Sequence, residues 1–121
     1  MSMNVNTYAH INLDYLNLMS DGDLDMKKVM LEMLLDELPS EIEKMRPLLE
    51  AKDWNNLKEV SHKMKSTLAF VGNEEMTIAN KVVEQISKNL ENFDELPELI
   101  TILENMTEKV MPELKQVYGA C

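Results

Sequence analysis

The sequence predicts an all-α protein: an antiparallel up-down four-helix bundle with a short extra N-terminal helix. Three observations carry this. Glycine and proline are scarce, with 3 and 4 in 121 residues, so long turn-rich stretches are absent. Leu, Met, Glu and Lys dominate, without the β-branched, aromatic-rich runs that strands favour. Apolar residues recur every three or four positions along four long segments joined by short breaks, and helices so joined pack as antiparallel neighbours.

In order, residues 1–10 are polar and expected to be a flexible terminus, with His10 as a surface residue at its edge. A short helix over Asn12 to Met19 is marked by Leu13, Leu16 and Met19. Ser20-Asp21-Gly22-Asp23 reads as a turn ending in a helix cap. Met26, Met30, Leu34, Leu38, Ile42, Met45 and Leu49 then form one stripe of a long second helix. Pro39 and Pro47 remove donors and predict kinks near Leu35 and Glu43, leaving open one kinked helix or two shorter ones. Asp53 caps a third helix with the stripe Leu57, Val60, Met64, Leu68 and Val71, and Gly72 suits its left-handed end. Asn73 caps a fourth, with Glu74 and Glu75 at its positive end and Met76, Ala79, Val83, Ile86 and Leu90 as its stripe. After a break over Asn92 to Pro97, Leu99, Leu103, Met106, Val110, Leu114 and Val117 mark a fifth, bent or loosened at Pro112.

Composition narrows the function. Hydrophobic residues at 45% suffice for one core, and 11 methionines are adaptable filler for it. A net charge of −10 weighs against nucleic acid, which requires a basic face, and suits docking to a complementary protein. The single cysteine, Cys121, forms no internal disulfide, so a reducing cytoplasm is expected. Met1 to Tyr8 holds no basic region followed by an apolar run, and no stretch is long and apolar enough for a span; neither signal peptide nor membrane is expected.

Within this acidic chain, Trp54 to Asn73 carries Lys58, Lys63 and Lys65 against Glu59 alone, and holds His62. At about 100° per residue, Val60, Met64 and Val71 fall opposite His62, which is therefore displayed away from its own helix's apolar stripe. Lys58, Glu59, Lys65, Ser66, Ala69 and Asn73 lie within about 60° of it. An ordinary surface histidine fits this geometry too. The small Ser66 and Ala69 leave a flat approach, however, and Lys65 can set an ammonium beside an anion on the ring. A neutral imidazole can attack phosphorus, and a nearby lysine stabilises the charge on the transferred oxygens.

Other chemistry fits less well. Glu59-Val60-Ser61-His62 has the Glu-x-x-His spacing of di-iron bundles, but the second such pair is missing, since Thr7 precedes His10 by three. Asp21-Gly22-Asp23-Leu24-Asp25 lacks the spaced ligands and closing Glu of a calcium loop. No Gly-rich phosphate loop and no Ser/His/Asp nucleophile arrangement are present, which argues against an ATP-using kinase. No metal site is expected.

His62-Lys63-Met64-Lys65-Ser66-Thr67, through Val71-Gly72, resembles the signature of histidine-containing phosphotransfer (HPt) domains: His-x-Leu-Lys-Gly-Ser, then a branched apolar residue and Gly. Asp53-Trp54 before the histidine helix and Val83-Glu84 on the next also match family habits, and the likeness runs from about Leu13 to Leu114. The resemblance implies an HPt-like bundle over residues 11–118, monomeric and without kinase activity. His62 would take a phosphoryl group from the aspartyl phosphate of a response-regulator receiver domain and pass it to another receiver's aspartate. A hybrid sensor histidine kinase is the implied upstream partner. The domain itself would need no cofactor, because the receiver brings magnesium. Lys65 takes the family lysine position; Ser66 replaces the usual glycine; Glu84 stands where some members have a glutamine that orients the histidine. Lys58, Glu59, Lys63, Ala69 and Asn73 complete the expected docking surface. The alternative is an adaptor bundle that binds a receiver or kinase without carrying phosphate.

Overall fold

Three side chains start three of the four long helices. Asp23, Asp53 and Asn73 each accept the amide of the residue three positions on, at 3.0, 3.2 and 2.9 Å, satisfying a donor that a helix start otherwise leaves open. In the computed structural model, which describes residues 8–121, the elements are α1 (Asp14–Ser20), α2 (Leu24–Glu50), α3 (Trp54–Val71), α4 (Glu74–Asn89), a 3₁₀ turn (Phe93–Glu95) and α5 (Leu96–Gly119). No strand occurs among the described residues. Helices α2 to α5 pack as a ring, each against its sequence neighbours and α5 back against α2. This is the predicted four-helix bundle, with α1 lying against α2 and α3.

The core is the inward stripe of all four helices. Leu31, Leu38 and Met45 of α2, Leu57 and Met64 of α3, Met76 and Val83 of α4, and Ile100, Leu103 and Leu114 of α5 are fully buried. Each such side chain contributes about 1.5–3 kcal/mol relative to an exposed one. Arg46 ties α2 to α5 through a two-pronged pair with Glu104, at 2.7 and 3.2 Å.

Helix α2 is one continuous helix through Pro39 and Pro47, and α5 continues through Pro112. Pro47 and Pro112 are exposed, so water can reach the carbonyls they leave without an amide. Leu38, Ile42 and Met45 are buried along the same stretch, and their packing supports the helix's continuity. The predicted stripes are shorter at their ends. Met26 is exposed and α2 first becomes buried at Leu31; Met19 is likewise exposed at the end of a seven-residue helix. Leu90 is not a stripe residue at all: it caps α4 with φ 58° and is exposed.

The expected flexible terminus falls partly on residues 1–7, outside the described residues. Its last residues are stitched to the bundle. The His10 backbone amide and ring Nδ1 meet Glu113 of α5 at 2.9 and 2.6 Å, so His10 is half-buried and paired, not a plain surface residue. Ile11 is buried, the Asn12 amide donates to the Val71 carbonyl, and Asn73 Nδ2 donates to the His10 carbonyl. Gly72 makes this closure possible. Its φ is +72°, and a Cβ there would run into the Asn12 carbonyl. Gly72→Ala is therefore expected to destabilise the protein by about 1–3 kcal/mol, read as a lowered urea midpoint at unchanged slope.

Candidate phosphotransfer site

His62 lies on α3, two residues before Met64, which is buried. Met64, Leu68 and Val71 face the core, so the imidazole is left at the surface, its side chain 66% exposed. Glu84 comes from the facing helix α4, between the buried Val83 and Ile86, and reaches up the α3–α4 seam. Its Oε2 lies 2.7 Å from His62 Nδ1, and its Oε1 lies 3.3 Å from Lys65 Nζ. One carboxylate thus holds both the ring and the ammonium.

The electrostatics fix the ring's orientation. Burial pushes the Glu84 carboxyl up, but hydrogen bonds from His62 and Lys65 and their positive charge outweigh it, and the group is held below its ordinary value. An ionised carboxylate only accepts, so His62 Nδ1 donates to it. In the neutral ring the lone pair then sits on Nε2, directed away from Glu84. The arrangement sets an ionised carboxylate on Nδ1, holds the Lys65 ammonium on that carboxylate's other oxygen, and leaves the Nε2 side of an exposed ring turned away from it.

The surroundings match the sequence expectation unevenly. Glu59, Lys63, Ser66 and Ala69 are exposed and Lys58 is half-buried. Lys63 leans toward the buried Glu41 of α2, 3.9 Å away, which also pairs with Lys44 at 2.7 Å. Ser66 donates back to the Lys63 carbonyl at 3.3 Å, and no bond joins it to the ring. Asn73 is not part of an exposed surface. It is buried, caps α4 and holds His10. The helical angle that placed it near His62 does not extend past Gly72, where the chain turns left-handed.

Three features were missed. A cleft of about 410 Å³ opens between α3 and α4 beside the site, with Lys65, Lys81, Glu84 and Lys88 in its walls. A smaller hollow of about 150 Å³ lies on the α2 side, between Met30, Met33 and Ser66, Phe70. Beneath His62, Ser61 and Asn80 form a buried polar pair across the seam. The signal for the last was present: position 80 continues the inward spacing of Met76 and Val83, yet is Asn. Among the described residues no group of three His, Cys, Asp or Glu side chains is placed to hold a metal ion, and no helix is long and apolar enough to cross a membrane.

Comparison with known proteins follows the same lines. A model of the Hpt domain family matches residues 29–113, most of the chain and all of the seam that holds the site. The chain belongs to the Hpt domain family. Two solved structures share its fold. Histidine-containing phosphotransfer protein B from Pseudomonas aeruginosa PAO1 superposes with a TM-score of 0.82 at 19% identity, over 93% of this chain and 96% of that one. The HPT domain of the Hpt sensor hybrid histidine kinase from Shewanella gives 0.75 at 25% identity, over 92% and 95%. No curated protein matches the sequence. Hpt domains are phosphotransfer carriers of phosphorelays, not kinases, and membership gives this chain that general role.

The carboxylate geometry makes the site acid-sensitive. The Glu84 carboxyl is more acidic folded than unfolded, so in acid the unfolded chain binds the extra proton first and stability falls with pH. The contribution is complete above the ordinary value of 4.5 and is lost as pH drops through the lower folded value. Urea midpoints of wild type and Glu84→Gln are therefore expected to differ most near neutral pH and to converge as pH falls well below 4.5.

Proposed function

We propose that this Hpt domain is a histidine phosphocarrier. His62 accepts a phosphoryl group from the aspartyl phosphate of one receiver domain and delivers it to the aspartate of another. The single observation that carries this reading is the 2.7 Å contact of Glu84 with His62 Nδ1, which leaves Nε2 as the free nucleophile.

In the forward step the Nε2 lone pair attacks phosphorus. An N–P bond forms, the P–O bond to the receiver aspartate breaks, and the aspartate leaves as carboxylate. The ring gains positive charge, which the ionised Glu84 behind it balances. Lys65, tethered by Glu84 Oε1, is within reach of the phosphoryl oxygens and offsets the repulsion that Glu84 alone would exert on them. In the return step a second receiver's carboxylate attacks phosphorus and the N–P electron pair goes back to Nε2. The receiver supplies the magnesium ion, and a hybrid sensor histidine kinase is the upstream source. Exposed Glu59, Lys63, Ser66 and Ala69, with half-buried Lys58, form the face that the receiver meets. Serine in place of glycine at 66 keeps that approach low.

A phosphorylated receiver is expected to label the protein with acid-labile phosphate, and His62→Gln to take up none. Labelling retained in His62→Gln moves the carrier elsewhere; a wild type that binds the receiver but is never labelled makes the domain an adaptor. Lys65→Ala is expected to fold with unchanged helix content and to transfer about tenfold more slowly in single-turnover assays.

A further inference from the structure

The contact that prepares His62 spans two helices, so it depends on how α3 and α4 are aligned along their axes. The apolar stripes alone do not fix that alignment well. Burial is non-directional, and Met64 of α3 and Met76 of α4, both fully buried, are adaptable side chains.

A directional element lies directly beneath the site. Ser61 and Asn80 are 0% and 1% exposed, so water does not compete for their polar groups. Ser61 Oγ stands 2.8 Å from both the Asn80 backbone carbonyl and Asn80 Oδ1, and donates its one proton there. Asn80 Nδ2 donates back to the Ser61 backbone carbonyl at 2.9 Å. The exchange is reciprocal and joins each side chain to the other helix's backbone.

Its position relative to the site follows from helix geometry. Ser61 immediately precedes His62 on α3. Asn80 lies one turn before Glu84 on the same face of α4. In an α-helix the carbonyl of residue i receives the amide of residue i+4. The Asn80 carbonyl is therefore the partner of the Glu84 amide, and the Ser61 carbonyl that of the Lys65 amide. The pair grips the peptide groups that hold the two charged partners of the site in their helices. A slide of one helix past the other breaks both directions of the exchange, and leaves buried polar groups unpaired, before it separates His62 from Glu84.

We propose that Ser61 and Asn80 are positioning residues for phosphotransfer: their buried reciprocal hydrogen bonds lock the axial register of α3 against α4 and so keep His62 Nδ1 on Glu84. The catalytic meaning of this lock rests on His62 being the carrier, but the positioning itself is open to test without any phosphate.

The deciding variant is Ser61→Ala/Asn80→Leu. Replacing both members by apolar groups leaves no orphaned polar side chain, so the fold and melting temperature are expected to survive. The readout is the tautomer of the neutral His62 ring, from ¹⁵N shifts of Nδ1 and Nε2 in long-range ¹H–¹⁵N spectra, with His62→Gln assigning the signals against His10. Wild type is expected to hold its ring proton on Nδ1. The double variant is expected to shift toward the Nε2–H form that an unconstrained imidazole prefers, and to transfer phosphate about tenfold more slowly. Combined with Glu84→Ala, which removes the acceptor, the pair's substitution is expected to change the tautomer no further.

If the double variant does not fold, Ser61→Ala, which only deletes the hydroxyl, is measured instead and is expected to shift the tautomer in the same direction. A folded variant of either kind whose His62 keeps the wild-type tautomer overturns the proposal, even if wild type carries phosphate normally. A wild type that takes up no phosphate, with a tautomer that still shifts in the variant, removes the carrier reading and leaves the register lock standing.

Discussion

The antiparallel pairing of α3 with α4 is the constraint on which the site depends. His62 and Lys65 come from one helix and Glu84 from the other, and their polar atoms meet within 2.7 and 3.3 Å only because the helices are fixed against each other. Gly72 and Asn73 turn the chain between them in two residues, one in the left-handed region and the other capping α4. So short a joint leaves the two helices little freedom to part. Residues 10–12 close over the same joint, tying it to Glu113 of α5 and to the Val71 carbonyl. The remaining helices, α2 and α5, complete the ring and bury the outer sides of the pair.

Within that frame, chemistry follows from the placement of one carboxylate. Glu84 is mostly buried, which alone would favour its neutral form, yet it is flanked by an imidazole and an ammonium that keep it ionised. It therefore orients the ring, engages Nδ1 in place of Nε2, and keeps Lys65 close. The negative charge of Glu84 is shared between the ring and the Lys65 ammonium, which meet its two oxygens. Lys58, Lys63 and Lys65 make α3 a basic segment inside a chain of net charge −10.

The long prolines-containing helices show how tertiary packing overrides local preference. Pro39 and Pro47 argue for interruptions in α2, yet it runs unbroken from Leu24 to Glu50. Pro47 and Glu43, whose carbonyl it leaves without an amide, are both exposed, and Leu38, Ile42 and Met45 are buried on the other side of the same helix. Burial on that scale exceeds the loss of a hydrogen bond whose acceptor stays hydrated.

The sequence by itself determined the helices, their caps and the exposure of His62. These are local properties: Asp23, Asp53, Asn73 and Gly72 act on their own turns, and a 3.6-residue repeat fixes which side of α3 is apolar. Glu84, 22 residues from His62, was legible only through a family resemblance, because no periodicity relates positions on different helices. The tertiary structure alone decided which His62 nitrogen is free and that Ser66 bonds to its own helix. It also decided that Asn73 is buried beneath the N-terminal segment, and that Ser61 meets Asn80. Each of these depends on the axial position of one helix against another, which is set by contacts far apart in the chain.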